Sequence, residues 1–189
     1  KPTQRVLDLC CGYGRHLLGL ARRGLNVVGQ DLNTNFLEQA KLNAAREALK
    51  IEVVSGDMRS IPFRDHFDAV INMFTSFGYL ESEEEDMQVL QEISKALKPG
   101  GYVLMDLLNR EWVVSNYIQD EWHEDEQGLH YLEHREIDFI TSRNHITFTG
   151  VLLDGSQKTS VGHHVRLYTL TEVIKMFSEA SLTFEGVYG

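Results

Sequence analysis

The first hundred residues alternate short apolar runs with longer amphipathic stretches. The apolar runs are four or five residues long and are bounded by polar residues or glycine, which is typical of buried strands. The stretches between them place apolar side chains three and four residues apart, which predicts helices with one buried face. The predicted strands cover residues 5–9, 26–30, 51–54, 67–71 and 102–106, and the predicted helices cover residues 15–23, 34–48 and 82–97.

Two signals mark the ends of the third predicted helix. Ser82 and Glu85 are spaced as in a capping box, in which each side chain accepts a hydrogen bond from the other residue's backbone N–H. The helix is expected to stop at Lys98-Pro99-Gly100-Gly101. Strands that alternate with helices require right-handed crossovers between parallel strands. The predicted fold class is therefore α/β, with a doubly wound, mostly parallel sheet.

The pattern becomes β-rich after about residue 110. Three runs, at 129–140, 145–153 and 158–168, are separated by turn signals at Ser142–Asn144 and at Asp154-Gly155. We interpret them as an antiparallel β insertion packed over one edge of the parallel sheet. The remaining residues predict a helix from Thr171 to Ala180 and the beginning of a further strand over 183–187.

Composition narrows the possible partners and compartments. The sequence has no run of about 18 apolar residues, and its first four residues show no signal-peptide pattern, so we expect a cytoplasmic protein without a membrane partner. The net charge of −10 disfavours nucleic acid as a partner, because phosphate binding needs a basic patch. The two neighbouring cysteines, Cys10 and Cys11, are poorly placed for a disulfide, and no metal site is predicted.

A glycine-containing turn joins the first strand to the first helix. Glycines at Gly12 and Gly14 allow a ligand to approach the backbone, and the N-terminus of the helix can bind polar or anionic groups. The dinucleotide-binding fingerprint requires a third glycine where this sequence has Leu17. A nicotinamide-dependent oxidoreductase is therefore disfavoured.

The segment from Val6 to His16 resembles the first motif of class I S-adenosylmethionine-dependent methyltransferases, in which an acidic residue precedes glycines at alternate positions. Asp8, Gly12 and Gly14 fit that motif, whereas Cys10 replaces its first glycine. Because the thiol side chain is small, we expect the turn to form. The resemblance implies that Asp8 and the backbone of residues 10–14 face the methionine part and the ribose of the cofactor.

Further matches follow the next predicted strands. The resemblance implies that Asp31 accepts hydrogen bonds from both ribose hydroxyls and that Asp57 accepts one from the adenine amine. The alternatives are a helix-capping role for Asp31 and a solvated loop position for Asp57. The implied cofactor is S-adenosyl-L-methionine, and the resemblance covers residues 5–108 most firmly. The cofactor-binding residues that it implies are Asp8, Cys10, Gly12, Gly14, Arg15, Asp31, Leu32, Asp57, Met58, Asn72 and Met73.

Residues 109–189 resemble small-molecule N- and O-methyltransferases more loosely. The resemblance implies one methyltransferase domain over 1–189, with a cofactor-binding core at 1–110, an insertion over the acceptor site at about 111–168 and a return to the core sheet at 169–189. It also implies a helix before the first strand and a final antiparallel strand, neither of which this sequence includes.

The predicted function is methyl transfer by direct displacement to an amine or hydroxyl group of a small molecule. Aromatic side chains at Phe74, Phe77 and Tyr79 can stabilise a sulfonium by cation–π contact or can simply pack. A methyltransferase acting on RNA or protein and a non-catalytic S-adenosylmethionine-binding module are the alternatives. The acceptor and the oligomeric state stay open, and the candidate catalytic residues are Tyr79, His164, Arg166 and Tyr168.

Overall fold

The computed structural model describes residues 4–124, 128, 130–151 and 157–189. The chain divides into two compact units. One reaches to Leu107 and resumes at Ile174, and the other comprises Leu108–Val173. The turn predicted at Asp154-Gly155 lies outside the described residues.

The first unit alternates strands and helices as the hydrophobic pattern predicts. Its elements are β1 (Arg5–Leu9), α1 (Arg15–Arg22), β2 (Asn26–Asp31), α2 (Thr34–Arg46), β3 (Glu52–Ser55), β4 (Phe67–Asn72), α3 (Glu83–Ala96) and β5 (Leu97–Met105). The five strands form one parallel sheet in the order β3-β2-β1-β4-β5. The prediction of an α/β fold with a mostly parallel sheet is confirmed.

The core of this unit lies on both faces of the central strands. Leu7 and Leu9 on β1 are completely buried, and Asp8 between them is buried as well, so the strand shows no alternation of buried and exposed positions. Such continuous burial is expected for a parallel sheet covered by helices on both sides. Leu17 of α1 and Val70 of β4 complete the same core, each fully buried.

The junction between α3 and β5 differs from the prediction. The strand begins at Leu97, directly after the helix, rather than at Tyr102. Leu97 pairs with Phe67 and Tyr102 pairs with Ala69, so residues 98–101 bulge out of the ladder between them. Gly100 has a φ of +76°, a conformation that glycine adopts without strain. The Pro-Gly-Gly sequence therefore interrupts the strand instead of preceding it.

Only one of the two hydrogen bonds of the predicted capping box forms at the start of α3. The Ser82 hydroxyl accepts a hydrogen bond from the backbone N–H of Glu85 at 3.3 Å, as predicted. The Glu85 carboxylate, however, accepts from the backbone N–H of Glu81 at 3.0 Å. It also pairs with the Arg59 guanidinium, which draws the side chain away from the reciprocal geometry.

The second unit contains a four-stranded antiparallel sheet in the order β6-β7-β8-β9. Its elements are α4 (Arg110–Ser115), β6 (Asp120–Glu124), β7 (His130–Asp138), β8 (Arg143–Val151) and β9 (Gln157–Arg166). The sequence pattern did not predict α4 or β6. The turn between β7 and β8 occupies residues 139–142, earlier than the predicted position, because Arg143 and Asn144 already pair with β7.

The last helix, α5 (Leu170–Glu179), lies within one residue of its predicted position. The strand predicted over 183–187 does not form. A strand is defined by its hydrogen bonds to a neighbour, and within the described part of the chain residues 182–189 pair with no strand. None of the helices built by the described residues is both long and apolar enough to span a bilayer.

Candidate functional site

The polar side chains predicted to bind a ligand follow the carboxyl ends of neighbouring strands. Because β1, β2, β3 and β4 are parallel and adjacent, these ends meet at one edge of the sheet. This is the edge at which open α/β sheets bind ligands. It carries Asp8 on β1, Asp31 on β2, Asp57 after β3 and Asn72 on β4.

The loop between β1 and α1 turns back over the sheet through left-handed backbone positions. Cys10, Gly12 and Gly14 have φ values of +61°, +53° and +84°. The turn therefore forms although a cysteine replaces the first glycine of the motif. A side chain at Gly12 would meet no atom within 4 Å, so this part of the loop faces open space. A Cβ at Gly14 would lie 3.0 Å from Ala40, so the second glycine allows α1 to pack closely against α2.

The same loop rests directly on β2. The backbone N–H of Cys11 donates to the carbonyl of Gln30 at 3.1 Å. A Cβ at Gly29 would lie 2.7 Å from the Cys11 sulfur, so a glycine at this strand position is required for the contact. Burial, together with the negative charges of Asp31 and Asp8, raises the pKa of the Cys10 thiol to about 12. The thiol therefore stays protonated, and its sulfur lies 3.6 Å from that of Met58.

Asp31 links the glycine loop to the start of the next helix. Its carboxylate accepts hydrogen bonds from the backbone N–H groups of Gly12 and Asn33, both at 2.8 Å. The N-cap of α2 is Asn33, whose side chain accepts from Asn35 and Phe36, so Asp31 does not cap the helix itself. Each Asp31 oxygen keeps acceptor capacity beyond these bonds. Leu32, the next residue, is 72% exposed at the same edge.

Asp8 and Asn72 are buried polar residues at the ends of adjacent strands, with exposures of 2% and 0%. The Asn72 amide donates to the carbonyl of Leu9 at 3.0 Å, which ties β4 to β1. In the part of the chain that the structure describes, no hydrogen-bond donor reaches Asp8 Oδ2 or Asn72 Oδ1. Burial raises the pKa of Asp8 to about 7, opposed by the backbone N–H of Leu17 and reinforced by the charge of Asp31.

Asp57 is paired with a residue that sequence reasoning missed. Its carboxylate accepts from the backbone N–H of Arg59 at 2.8 Å and from the Arg59 guanidinium at 2.6–3.1 Å. The Arg59 guanidinium holds the pKa of Asp57 below its usual range. The buried amide of Gln30 donates to the carbonyls of Asp57 and Ser60 and so fixes this turn.

The loop after β4 is held in an unusual conformation by a second residue missing from the prediction. Phe74 and Thr75 both have positive φ, at +59° and +52°, which is rare for side chains of this size. The Asp106 carboxylate accepts from the N–H of Phe74 at 3.2 Å, and its carbonyl accepts from the N–H of Thr75 at 3.0 Å. An acidic residue directly after the fifth strand was the only signal in the sequence.

The aromatic side chains of this loop separate into two kinds. Phe77 is 2% exposed and packs in the core, whereas Phe74 is 65% exposed. The exposed ring of Phe74 lies 4.8 Å from the guanidinium carbon of Arg15, so these two predicted site residues contact each other. Tyr79 is 41% exposed, and burial of its ring raises the pKa of its phenol. Met73 lies at the start of the loop and is partly buried.

The remaining predicted catalytic residues, His164, Arg166 and Tyr168, lie in the second unit. Arg166 is buried and pairs with Glu172 at 2.8 Å, and its guanidinium lies 4.6 Å from the Tyr168 ring centre. These contacts give Arg166 a structural role at the end of β9. The His164 ring stacks on His145 of β8 at 4.2 Å, since the two residues are paired directly across the ladder.

The antiparallel ladder also brings Glu121, His123 and Glu133 together, although their spacing in the sequence gave no sign of it. All three ligand atoms lie within 4.8 Å of one another. The Arg135 guanidinium contacts both carboxylates, at 2.9 and 2.8 Å. Because Arg135 already supplies the positive charge, we interpret the group as an ion-pair network.

A cavity of about 550 Å³ opens at the opposite, amino-terminal edge of the parallel sheet. Its lining includes Arg5, Glu52, His66 and Lys98, and none of the predicted site residues. Arg5 pairs with Glu52 at 2.7 Å and Lys98 with Asp68 at 2.8 Å. Three charged side chains of this cavity, Arg5, Glu52 and Lys98, are thus held in ion pairs. The candidate site is therefore the carboxyl edge of the sheet.

Comparison with known proteins shows the family to which the chain belongs. Residues 6–101, just over half of the chain, match the family described as a methyltransferase domain. The chain belongs to this family. It is an S-adenosylmethionine-dependent methyltransferase, as the first motif indicated.

Three proteins show what this methyltransferase is similar to. It is 33% identical to glycine/sarcosine N-methyltransferase from Aphanothece halophytica, over 59% of this chain and 43% of that protein. It is 26% identical to dTDP-3-amino-3,4,6-trideoxy-alpha-D-glucopyranose N,N-dimethyltransferase from Streptomyces venezuelae, over 97% of this chain and 77% of that protein. The CcbJ methyltransferase from Streptomyces caelestis has the same fold, with a TM-score of 0.82 at 19% identity over 97% of this chain and 74% of that one. The chain spans less than half of the first of these proteins and about three quarters of the other two.

Proposed function

We propose that this methyltransferase transfers a methyl group from S-adenosylmethionine to an amine nitrogen of a small molecule. The observation that carries the proposal is the match, over 97% of the chain, to an enzyme named for dimethylating the amino group of a nucleotide-linked sugar. A second relative is also named for N-methylation of small amines. The net charge of −10 supports a small, cationic or neutral acceptor over a nucleic acid.

The residues at the carboxyl edge fit the cofactor. The open space beside Gly12 leaves room for a polar ligand, and the buried oxygens of Asp8 and Asn72, which no donor among the described residues reaches, offer it acceptors. The carboxylates of Asp8, Asp31 and Asp57 at the same edge favour a ligand with a net positive charge. When bound, S-adenosylmethionine supplies a methyl group activated by the sulfonium.

Each part of the edge has a distinct task in the proposal. Asp31 and the loop at Gly12 hold the ribose, and Asp57 with the N–H of Met58 recognises adenine. Asp8 neutralises positive charge on the methionine part, and Arg15 pairs with its carboxylate. Direct displacement requires mainly alignment of the reacting groups, and positioning alone contributes roughly 7–11 kcal/mol. No nucleophilic side chain is needed.

An amine acceptor must lose a proton before or during transfer. Because the raised pKa of Tyr79 keeps its phenol protonated, Tyr79 is suited to orient the amine through its oxygen rather than to remove a proton. Arg166 is buried in an ion pair with Glu172, and its proposed part is to hold Tyr168 in place. In the second unit, His164, whose ring stacks on His145, is the candidate proton acceptor. The involvement of Tyr168 rests on its contact with Arg166.

The first test is thermal unfolding with S-adenosylmethionine, S-adenosylhomocysteine, NAD and NADP. A ligand at about 100 times its Kd adds roughly 2.7 kcal/mol of stability, which for a chain of this size raises Tm by roughly 5–11 °C. We expect the shift with the two adenosyl compounds alone. A shift with a nicotinamide cofactor alone would contradict the assignment.

The second test compares matched acceptors. A nucleotide-linked amino sugar and the same compound with a hydroxyl in place of the amine are incubated with enzyme and cofactor, and products are identified by mass. We expect methylation of the amine only. Methylation of the hydroxylated compound alone would move the proposal to O-methylation.

A further inference from the structure

The Arg59 side chain bridges two carboxylates at the carboxyl edge of the sheet. Its Nη2 donates to Asp57 Oδ2 at 2.6 Å, and its Nε is shared between the two Asp57 oxygens at 3.1 Å each. Its Nη1 pairs with the Glu85 carboxylate at the start of α3. The side chains of Asp57, Arg59 and Glu85 are 32%, 36% and 29% exposed, so the network is partly shielded from water.

These contacts leave the Asp57 carboxylate with little spare acceptor capacity. An ionised carboxylate has about four lone-pair positions. Three N–H groups of Arg59 bind the carboxylate: the backbone N–H on Oδ1, Nη2 on Oδ2, and Nε shared between the two oxygens. About one acceptor position therefore remains on the carboxylate.

The contacts of Arg59 and Glu85 with α3 fix the orientation of the Arg59 side chain relative to Asp57. Glu85 accepts from the backbone N–H of Glu81, and its own N–H donates to Ser82. The carbonyl of Arg59 accepts from the Gln88 amide at 3.0 Å. Arg59 is thus anchored to the first turns of α3 by its side chain and its backbone, and it cannot rotate freely about Asp57.

We propose that Arg59 is a positioning residue for adenine recognition, because it leaves Asp57 a single acceptor position that suits one N–H of the adenine amine. The inference rests on the proposed role of Asp57 at the adenine. A base with a 6-oxo group offers a lone pair instead of an N–H at this place and is repelled by the carboxylate. Arg59 therefore contributes to selection of adenine over hypoxanthine.

The test measures discrimination rather than affinity alone. Calorimetric Kd values are compared for S-adenosylhomocysteine and for S-inosylhomocysteine, which carries the 6-oxo group. In Arg59→Gln we expect the adenosyl compound to bind about tenfold more weakly, the effect of losing roughly 1.4 kcal/mol, while the inosyl compound changes less than about twofold. Arg59→Lys keeps the charge but not the fork and should lose discrimination as well.

A matched control is available on the other side of this unit. Arg22 makes a similar forked pair with Glu47, with both contacts at 2.6 Å, away from the carboxyl edge. Arg22→Gln should leave both Kd values unchanged. Thermal unfolding of each ligand-free variant checks that the fold is intact.

Four results would overturn the proposal. Equal weakening of both compounds in Arg59→Gln would make Arg59 merely structural, and tighter binding of the adenosyl compound would make it a competitor of the ligand. A wild-type protein that binds both compounds equally well would remove Asp57 from the adenine site and leave the methyltransferase function standing. If the wild type binds neither adenosyl compound, the proposed function fails first, and this inference fails with it.

Discussion

Several residues of the candidate site also hold the fold. Asp31 illustrates this, because its carboxylate secures the glycine loop through Gly12 and the entry to α2 through Asn33. Those bonds orient both oxygens before any ligand arrives. A carboxylate oriented in advance loses little conformational freedom on binding, which favours affinity.

Asp31→Ala should weaken S-adenosylmethionine binding at least tenfold. The variant lacks the proposed acceptors for the ribose hydroxyls and the support of the Gly12 N–H, and each hydrogen bond to a charged group contributes roughly 1.5–3 kcal/mol. Calorimetric titration measures the change. Asn33→Ala is the control, since it removes the α2 cap and about 1 kcal/mol of stability without removing a ribose acceptor. An unchanged Kd in Asp31→Ala would exclude Asp31 from the ribose site.

The buried carboxyl of Asp8 predicts that the stability of the fold decreases as the pH rises. A carboxylate held in an ion pair has the opposite effect. Its pKa rises from 3.8 to about 7 in the folded protein, so folding favours the protonated form. The stabilisation is complete below about pH 4 and is lost as the pH rises towards 7. A shift of this size corresponds to a change on the order of 4 kcal/mol in the free energy of unfolding.

Comparing urea unfolding of the wild type and Asp8→Asn isolates this contribution. The amide of the variant cannot ionise, so the wild type should lose stability relative to the variant between about pH 4 and pH 7. The reference is the difference between the two proteins at about pH 3, where the carboxyl of the wild type is neutral like the amide of the variant. If the stability difference between the wild type and Asp8→Asn does not change with pH, the pKa of the Asp8 carboxyl is not raised by folding.

Sequence reasoning found the residues at the strand ends but not the residues that hold them. Asp8, Asp31 and Asp57 were identifiable because their segments resemble motifs of the methyltransferase family. Arg59 and Asp106 were missed because their roles depend on side chains that turn back towards backbone or carboxylate groups distant in the sequence. A linear pattern contains no information on that direction.

At the scale of elements, burial determined which predictions succeeded. The central strands β1, β2 and β4 were predictable because they are largely buried and each carries a short apolar run. Strand β6 was missed because its sequence, Asp-Glu-Trp-His-Glu, is mostly charged. It is held by cross-strand pairs such as Asp120 with His134 at 2.7 Å, and such pairs can be recognised only when the partner strand is known.

The same dependence on partners explains the two errors at the chain's later elements. Residues 183–187 have the composition of a strand but pair with no strand in the described part of the chain. The α3–β5 junction was misplaced because Leu97 pairs with Phe67 before the bulge at residues 98–101. The Pro-Gly-Gly sequence predicted that the chain is interrupted here, but not that Leu97, before the interruption, already pairs with Phe67.

The bulge in β9 provides a test of element packing. Ile146 pairs with His163 and Thr147 with Val161, so Gly162 is the extra residue. A Cβ at Gly162 would lie 2.3 Å from the ring of Phe148, and Gly162→Ala should therefore lower the free energy of unfolding by about 1–3 kcal/mol. Urea unfolding measures the loss.

A glycine in the adjacent strand serves as the matched control. A Cβ at Gly150 would meet no atom closer than the Lys158 carbonyl at 4.0 Å, so Gly150→Ala should be neutral or slightly stabilising. If both variants lose the same stability, the cause is a general intolerance of the strands to alanine and not the contact with Phe148.

At the scale of the whole molecule, the net charge of the chain and the charge at the carboxyl edge are both negative. All of the predicted cofactor-binding residues lie in the first unit. Its carboxyl edge carries four acidic residues, Asp8, Asp31, Asp57 and Asp106, against two basic ones, Arg15 and Arg59. The chain as a whole carries a net charge of −10. Local and overall charge therefore act in the same direction on a cationic ligand.

This arrangement predicts that binding of the methyl donor depends on salt while binding of the demethylated product does not. S-adenosylmethionine carries a sulfonium charge that S-adenosylhomocysteine lacks, and the two are otherwise closely similar. Raising the ionic strength from about 0.01 M to 1 M shortens the Debye length from about 30 Å to about 3 Å. We expect the Kd of the donor to rise roughly threefold to tenfold over this range, because screening weakens its attraction to the acidic edge.

The product is the internal control for every other effect of salt. Its Kd should change less than about twofold, since salt-induced changes in hydrophobic burial affect both compounds alike. Calorimetric titrations of the two ligands in the same buffers give the comparison directly. Parallel salt dependence of the two Kd values would mean that the sulfonium does not sense the carboxylates, and that shape and hydrogen bonding alone select the cofactor.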